Sequence, residues 1–127
     1  MSEKHAIQTE EAPAAIGPYS QAVSTGSLVF CSGQIPLDPQ TMEIVPGGIE
    51  AQTHQVFLNL SAVASAADSS LNNAIKLTIF LTDLEDFGAV NNIMSKYFEE
   101  PYPARATIEV SALPKGALVE IEAVLTV

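Results

Sequence analysis

Arg105, the only arginine among 127 residues, is the residue whose type and position most clearly indicate a chemical role. It begins an alternating segment in which Arg105, Thr107 and Glu109 face one side and the apolar residues between them face the other. A guanidinium is a rigid planar fork that can bind a carboxylate through two hydrogen bonds. The position therefore predicts either a site for a small organic acid or a cross-strand ion pair with Glu109, Glu120 or Glu122.

Two carboxylates in the last segment of the chain are the next candidates. Glu120 and Glu122 share one face of an alternating run, opposite Val119, Ile121 and Ala123. A carboxylate in so apolar a segment can be partly buried, which suits it to orient or deprotonate a water molecule. The other interpretation is a solvated polar face.

Weaker candidates lie where strands meet loops. Tyr19 follows Pro18 and Ser32 precedes Gly33, near strand ends where loops offer hydroxyls and backbone N–H groups to a ligand, and Gly33 permits close approach of the backbone. Cys31 adjoins Ser32, so its side chain points to the opposite face and is expected in the core. Neither His5, near a terminus expected to be loose, nor the helical His54 has cysteine or acid at ligand spacing. The sequence therefore predicts no metal site, and it contains no cofactor motif.

Charge and composition exclude several classes of protein. Fifteen acids against five bases give a formal charge of −10, and the cations are scattered singly: Lys4, Lys76, Lys96, Arg105 and Lys115. Nucleic acid is therefore an unexpected partner, because phosphate binding needs clustered cations. No apolar run approaches the roughly 18 residues of a membrane span. One cysteine cannot form an internal disulfide, so a cytoplasmic location is the default expectation.

Hydrophobic periodicity predicts the elements that position these residues. A hairpin turning at Thr25-Gly26-Ser27 joins 17–24 to 28–34, and a helix covers 49–67. The helix has an apolar stripe of Val56, Leu60, Val63 and Ala67, with Gln52, Gln55, Asn59 and Ser65 off it.

The second half of the chain is predicted to contain three strands and one helix. Residues 74–81 read as a strand, followed by a helix with core positions Phe87, Val90, Met94 and Phe98. Two last strands, 105–110 and 118–127, are predicted to be joined as a hairpin. The order β-β-α-β-α-β-β predicts one α+β domain over 1–127, a two-layer sandwich with one sheet face uncovered. Self-association through that face is expected.

Several segments together resemble the Rid (YjgF) family over nearly the whole chain. They are Ala14-Ala15-Ile16-Gly17-Pro18-Tyr19-Ser20-Gln21-Ala22, Ser32-Gly33-Gln34-Ile35-Pro36, Pro103-Ala104-Arg105-Ala106 and Leu113-Pro114-Lys115-Gly116-Ala117-Leu118-Val119-Glu120-Ile121-Glu122-Ala123. The resemblance implies a chorismate-mutase-like fold assembled as a homotrimer, with a central β-barrel and three clefts between subunits. It also implies cofactor-free hydrolysis of reactive 2-imino acids, the tautomers of 2-aminoacrylate and 2-aminocrotonate, to 2-oxo acids and ammonia.

Site residues carry over from the family by motif. The resemblance implies that Arg105 holds the substrate carboxylate and Glu120 the attacking water. Tyr19, Ser32, Gly33 and Asn91 are implied as cleft lining, and Thr107 as a ligand contact through its backbone N–H.

The chain departs from family patterns at three positions, and a second function stays open. Thr107 replaces a common cysteine, Asp68 a frequent glycine and Met94 a frequent tyrosine. A trimer that senses 2-oxo acids without turnover remains the alternative function, although retention of both Arg105 and Glu120 favours an enzyme. RNA cleavage, suggested for some relatives, conflicts with the acidic charge.

Overall fold

Six strands and two α-helices form the framework of the computed structural model, which describes residues 3–127. In chain order the elements are β1 (His5–Ile7), β2 (Ala22–Thr25), β3 (Leu28–Gln34), α1 (Gly48–Ala66), β4 (Ala74–Leu81), α2 (Phe87–Met94), β5 (Ala104–Glu109) and β6 (Val119–Thr126). One sheet and two helices confirm the predicted α+β class. The terminus expected to be loose instead forms β1, a strand that the prediction lacked, because His5 to Ile7 pair with β2.

The sheet has the order β1-β2-β3-β6-β4-β5. All neighbours are antiparallel except β4 and β5, which are parallel. The predicted hairpin between the last two strands is therefore wrong: β6 inserts between β3 and β4, and β5 lies at the sheet edge. The cause is α2, which carries the chain back across the sheet so that β5 runs in the direction of β4.

The core lies between the helices and one face of the sheet. The stripe predicted on α1 is buried, and it packs with residues of β4 and β6 such as Leu77, Ile79 and Ile121. Gln52 and Asn59, predicted to lie off the stripe, are buried as well. Their amides have backbone partners: Gln52 Oε1 accepts from Leu118 N at 2.8 Å, and Asn59 Nδ2 donates to Leu37 O at 3.0 Å. These bonds fix the loops before β6 and after β3, which offsets the cost of burying the amides.

The second helix is shorter than predicted and ends at Met94. Val90, Met94 and Phe98 are buried as expected, but Phe87 is 36% exposed.

At the C-terminus of α1, Asp68 follows the last turn with φ 58°, a left-handed conformation that costs a non-glycine residue about 1 kcal/mol.

No helix of the described residues covers the other face of the sheet, as predicted. Phe30 and Ile108 on this face are 47% and 44% exposed, and Phe80 and Val124 are half-buried. Register places Glu120, Phe80 and Ile108 in one row across β6, β4 and β5.

Within residues 3–127 no helix is long and apolar enough to cross a membrane.

Candidate active site

Helix α2 holds the guanidinium of Arg105 in place. Arg105 Nη1 donates to Asn91 Oδ1 and lies 3.7 Å from Met94 Sδ, while Arg105 Cζ stands 5.0 Å from the centre of the Phe87 ring. The aromatic face favours a cation above it. One Nη is thereby occupied by Asn91, which leaves the other guanidinium N–H groups for a ligand.

No carboxylate within residues 3–127 forms a salt bridge with Arg105. Of the three glutamates predicted as alternative partners, Glu109 accepts from Leu84 N at 2.9 Å instead. The ion-pair interpretation of Arg105 is therefore wrong for the described chain. A pocket of about 380 Å³ opens beside the guanidinium, lined by Asn91, Met94, Ser95, Tyr102, Pro103 and Arg105.

Glu120 is half-buried on the uncovered face of the sheet. Burial raises the pKa of this carboxyl, and the nearby charge of Glu122 raises it further. Gly33 of the adjacent strand lies directly against it, since a Cβ added at Gly33 would stand 2.2 Å from Glu120 Oε2. The predicted partial burial of Glu120 is confirmed, and Glu122 is the exposed member of the pair.

Tyr19 and Ser32 lie on the same side of the molecule as Gly33. Tyr19 is 54% exposed and, with Gly33, lines a pocket of about 260 Å³. The Ser32 hydroxyl donates to Ser20 O at 2.6 Å, and Ser32 N donates to Gln21 O at 3.0 Å. Ser32 therefore fixes the loop that carries Tyr19, and toward a ligand its hydroxyl is left with acceptor capacity only.

The predicted site residues fall into two groups. We call Asn91, Arg105 and Thr107 the arginine group, and Tyr19, Ser32, Gly33 and Glu120 the glutamate group. In the register of β4, Arg105 pairs with the buried Leu77, whereas Glu120 pairs with Phe80 on the uncovered face.

The two groups therefore point to opposite sides of the sheet. With β4 between them and a stagger of three residues, the Cα atoms of Arg105 and Glu120 lie about 14 Å apart. The resemblance implies that these residues line clefts between subunits, and since a single chain does not bring them together, their common cleft stays a prediction.

Two further residues lie beside predicted site residues and were not themselves predicted as part of the site. Phe87, predicted as core, instead supports Arg105 from one turn before Asn91. Lys115, with φ 58°, donates from Nζ to Met42 O at 3.4 Å and lines the pocket that contains Tyr19. The sequence contains one indication of this role of Phe87. It lies four residues before Asn91, and this spacing places both side chains on one face of the helix.

Cys31 and His54, the remaining candidates for a chemical role, make contacts typical of structural residues. Cys31 is buried, and burial raises the pKa of its thiol to about 11, so it is an inert core residue. His54 Nδ1 lies 2.9 Å from the Tyr97 hydroxyl. The described residues contain no cluster of three or more His, Cys, Asp or Glu side chains that could hold a metal ion.

Comparison with known proteins identifies close relatives. The family described as Endoribonuclease L-PSP matches residues 9–127. A RutC family protein of Pyrococcus horikoshii is 52% identical over 121 residues, covering 95% of this chain and 96% of the relative. The 2-iminobutanoate/2-iminopropanoate deaminase of Mus musculus is 48% identical over 118 residues, covering 93% and 87%. The crystal structure of RidA from the Antarctic bacterium Psychrobacter sp. PAMC 21119 superposes with a TM-score of 0.94 at 50% identity, covering 97% and 99%.

Proposed function

The chain belongs to the Endoribonuclease L-PSP family, also called Rid (YjgF), and on that premise we propose that it hydrolyses small 2-imino acids to 2-oxo acids and ammonia. The predicted family resemblance is confirmed. Several curated relatives, 43–48% identical over most of this chain, are named 2-iminobutanoate/2-iminopropanoate deaminase. These names support imine deamination at the level of the family.

The observation that carries the proposal for this chain is the environment of Arg105. A guanidinium that is held by Asn91 and Phe87 but has no ion-pair partner among the described residues is a preorganised anion site. Because the chain carries a charge of −10, the guanidinium also makes the electrostatic potential around it locally positive. A small carboxylate such as that of a 2-imino acid is the ligand this arrangement fits.

Assembly joins the arginine group of one copy to the glutamate group of the next. Support comes from the separation of the two groups within one chain and from the uncovered face that carries Phe30, Phe80 and Ile108. We assign the assembly as a homotrimer with the sheets packed into a central barrel, the chorismate-mutase-like arrangement of this family. Three such contacts create three equivalent clefts.

Within a cleft the chemistry needs little more than positioning. Arg105 fixes the substrate carboxylate, and Glu120 of the neighbouring copy accepts a proton from the water that attacks the imine carbon. The new C–O bond gives a carbinolamine. Glu120 passes its proton to the imine nitrogen to complete the carbinolamine, and transfer of the hydroxyl proton to the same nitrogen with cleavage of the C–N bond then releases ammonia and leaves the 2-oxo acid.

Tyr19, Ser32, Gly33 and the backbone N–H of Thr107 line the proposed cleft. Gly33 leaves room for the Glu120 carboxylate, and Ser32 holds the loop of Tyr19. The reaction as written consumes only water, so no cofactor is invoked.

RNA cleavage, which the family description names, receives no support from the charge of this chain. An acidic protein with scattered cations lacks the clustered charge that phosphate binding requires.

A coupled assay tests the proposal. Threonine dehydratase generates 2-aminocrotonate, and 2-oxobutanoate formation is followed with wild type, Arg105→Ala and the matched charge-loss control Lys96→Ala. We expect wild type and Lys96→Ala to accelerate 2-oxobutanoate release and Arg105→Ala not to. A wild-type rate equal to the uncatalysed rate contradicts the deaminase proposal and favours a binding protein for 2-oxo acids.

A further inference from the structure

Two cationic side chains line the larger pockets of the described chain, and they are Arg105 and Lys115. The chain has five cations against fifteen acids, so a cation at a pocket is scarce and indicates a binding site for an anion. Lys115 Nζ carries three donor hydrogens, but within residues 3–127 it has one long contact, to Met42 O at 3.4 Å, and no carboxylate partner. The ammonium group therefore keeps donors for a ligand.

The backbone that presents this ammonium group is strained. Three non-glycine residues among residues 3–127 have a left-handed conformation, and two of them, Met42 and Lys115, are joined by that hydrogen bond. Glycine and asparagine adopt this conformation more readily than lysine does. Strained residues concentrate at sites that bind ligands, so a lysine at this position favours a role for its side chain.

The pocket that Lys115 lines has mostly apolar walls and a volume of about 260 Å³. Ile35 and Leu37 belong to those walls, and Gly33 lines the same pocket. Gly33 also lies directly against the carboxylate of Glu120. The pocket therefore adjoins the carboxylate that is proposed to hold the attacking water.

We propose that this pocket receives the side chain of the substrate and that Lys115 binds a carboxylate at the end of that side chain. The inference rests on the proposed function and names its substrate class, the 2-imino acids derived from dicarboxylic amino acids. Arg105 of a neighbouring copy holds the carboxylate next to the imine carbon and Glu120 holds the water, so only the side chain is free to enter the pocket. The apolar walls suit the methylene groups between the two carboxylates.

A pair of unreactive ligands separates the two carboxylate contacts. 2-Oxoglutarate and 2-oxopentanoate have the same five-carbon chain and the same 2-oxo acid group, and they differ only in a terminal carboxylate against a terminal methyl group. Their dissociation constants are measured by titration calorimetry on full-length wild type, Lys115→Asn, Lys115→Arg and Arg105→Ala. Asparagine tolerates the left-handed backbone, so Lys115→Asn removes the ammonium group without adding strain. Lys96→Asn is the matched control, since it removes the same charge from an exposed residue that lines neither pocket.

We expect Lys115→Asn to weaken 2-oxoglutarate binding by about 3- to 10-fold and to leave 2-oxopentanoate binding within about twofold. Lys115→Arg keeps the charge and is expected to retain most of the affinity for 2-oxoglutarate. Arg105→Ala is expected to lose measurable binding of both ligands, and Lys96→Asn to bind both as wild type does. Wild type is expected to bind 2-oxoglutarate at least as tightly as 2-oxopentanoate, although a chain of charge −10 repels the dianion more strongly.

Four results overturn the inference. They are unchanged 2-oxoglutarate binding by Lys115→Asn, an equal loss for both ligands, an equal loss of 2-oxoglutarate binding in Lys96→Asn, or 2-oxoglutarate binding that survives in Arg105→Ala. The last result would place the Lys115 contact outside the proposed cleft. If Lys115→Asn fails to fold, the ratio of the two dissociation constants is measured on Lys115→Gly, because glycine adopts a φ of 58° freely.

The test also separates this inference from the proposed catalysis. Deamination of 2-aminocrotonate by a wild type that prefers 2-oxopentanoate supports the enzyme and contradicts the Lys115 contact. Binding of 2-oxoglutarate that depends on Lys115, in a protein that shows no deamination, supports the contact and contradicts the enzyme. A wild type that shows no deamination and binds neither ligand contradicts both.

Discussion

Gly33 lies directly against the carboxylate of Glu120. A Cβ built on Gly33 would stand 2.2 Å from Glu120 Oε2 and 3.0 Å from its Cδ, distances at which one of the two groups must move. The φ angle of Gly33 is outside the left-handed region, so the requirement for glycine here is space and not conformation. The backbone at Gly33 thus sets the position of Glu120.

Gly33→Ala is expected to displace Glu120 and impair catalysis. A shift of about 1 Å in a reacting group can cost on the order of 100-fold in rate, so we expect a loss of that size in kcat. Steady-state kinetics in the coupled assay measures it. Gly88→Ala is the matched control, because a Cβ at Gly88 meets nothing within 4 Å and alanine favours the helix there. Equal activities for the two variants would show that Gly33 does not position a catalytic group.

Activity is expected to fall at low pH as Glu120 is protonated. The carboxylate must be ionised to accept a proton from water, and its pKa is raised by burial and by the charge of Glu122. Glu122→Gln removes the second cause and is expected to lower the Glu120 pKa, which moves the acidic limb of kcat/KM to lower pH. The exposed Glu99→Gln serves as control, and an identical shift in both variants rules out a specific effect of Glu122.

Arg105→Lys is expected to lose almost as much activity as Arg105→Ala. Lysine retains the positive charge but not the planar fork, and it cannot reproduce the contacts of the guanidinium with Asn91 and Phe87. We expect kcat/KM to fall by about 10- to 100-fold, mainly through KM. Lys96→Arg, the reverse exchange at an exposed position, is expected to leave kcat/KM unchanged. Wild-type kinetics for Arg105→Lys would mean that charge alone binds the substrate.

Salt is expected to leave activity flat or to raise it. Each copy carries a charge of −10, so the field repels an anionic substrate except near Arg105, and screening weakens that repulsion. The measurement is kcat/KM between low and moderate ionic strength. A steep fall with added salt would require a basic steering surface.

Much of the fold follows from residue pattern alone. The stripe from Val56 to Ala67 and the β-branched run of β4 predict elements whose bounds agree with the structure within about two residues. The pairing of β5 and β6 could not be read in this way. A short connection between alternating segments resembles a hairpin, and only the packing of α2 decides that β5 runs parallel to β4.

The sequence indicates which residues are candidates for the site, but it does not indicate where they lie relative to one another. Arg105 and Glu120 stand out by type and motif, whereas their placement on opposite faces depends on the register of both strands against β4. Gln52 and Asn59 were misplaced because periodicity treats amides as surface residues, and burial becomes favourable when backbone groups satisfy them.

Complementation between two inactive variants tests directly whether the cleft is built from two copies of the chain. Arg105→Ala and Glu120→Gln are unfolded and refolded together, and deaminase activity is compared with that of each variant refolded alone. Because the proposed cleft takes Arg105 from one copy and Glu120 from its neighbour, about one cleft in four of a random equimolar mixture is expected to combine both intact residues. We predict recovery of about a quarter of wild-type activity in the mixture and almost none in either variant alone. An inactive mixture that contains mixed oligomers would contradict a cleft built from two copies.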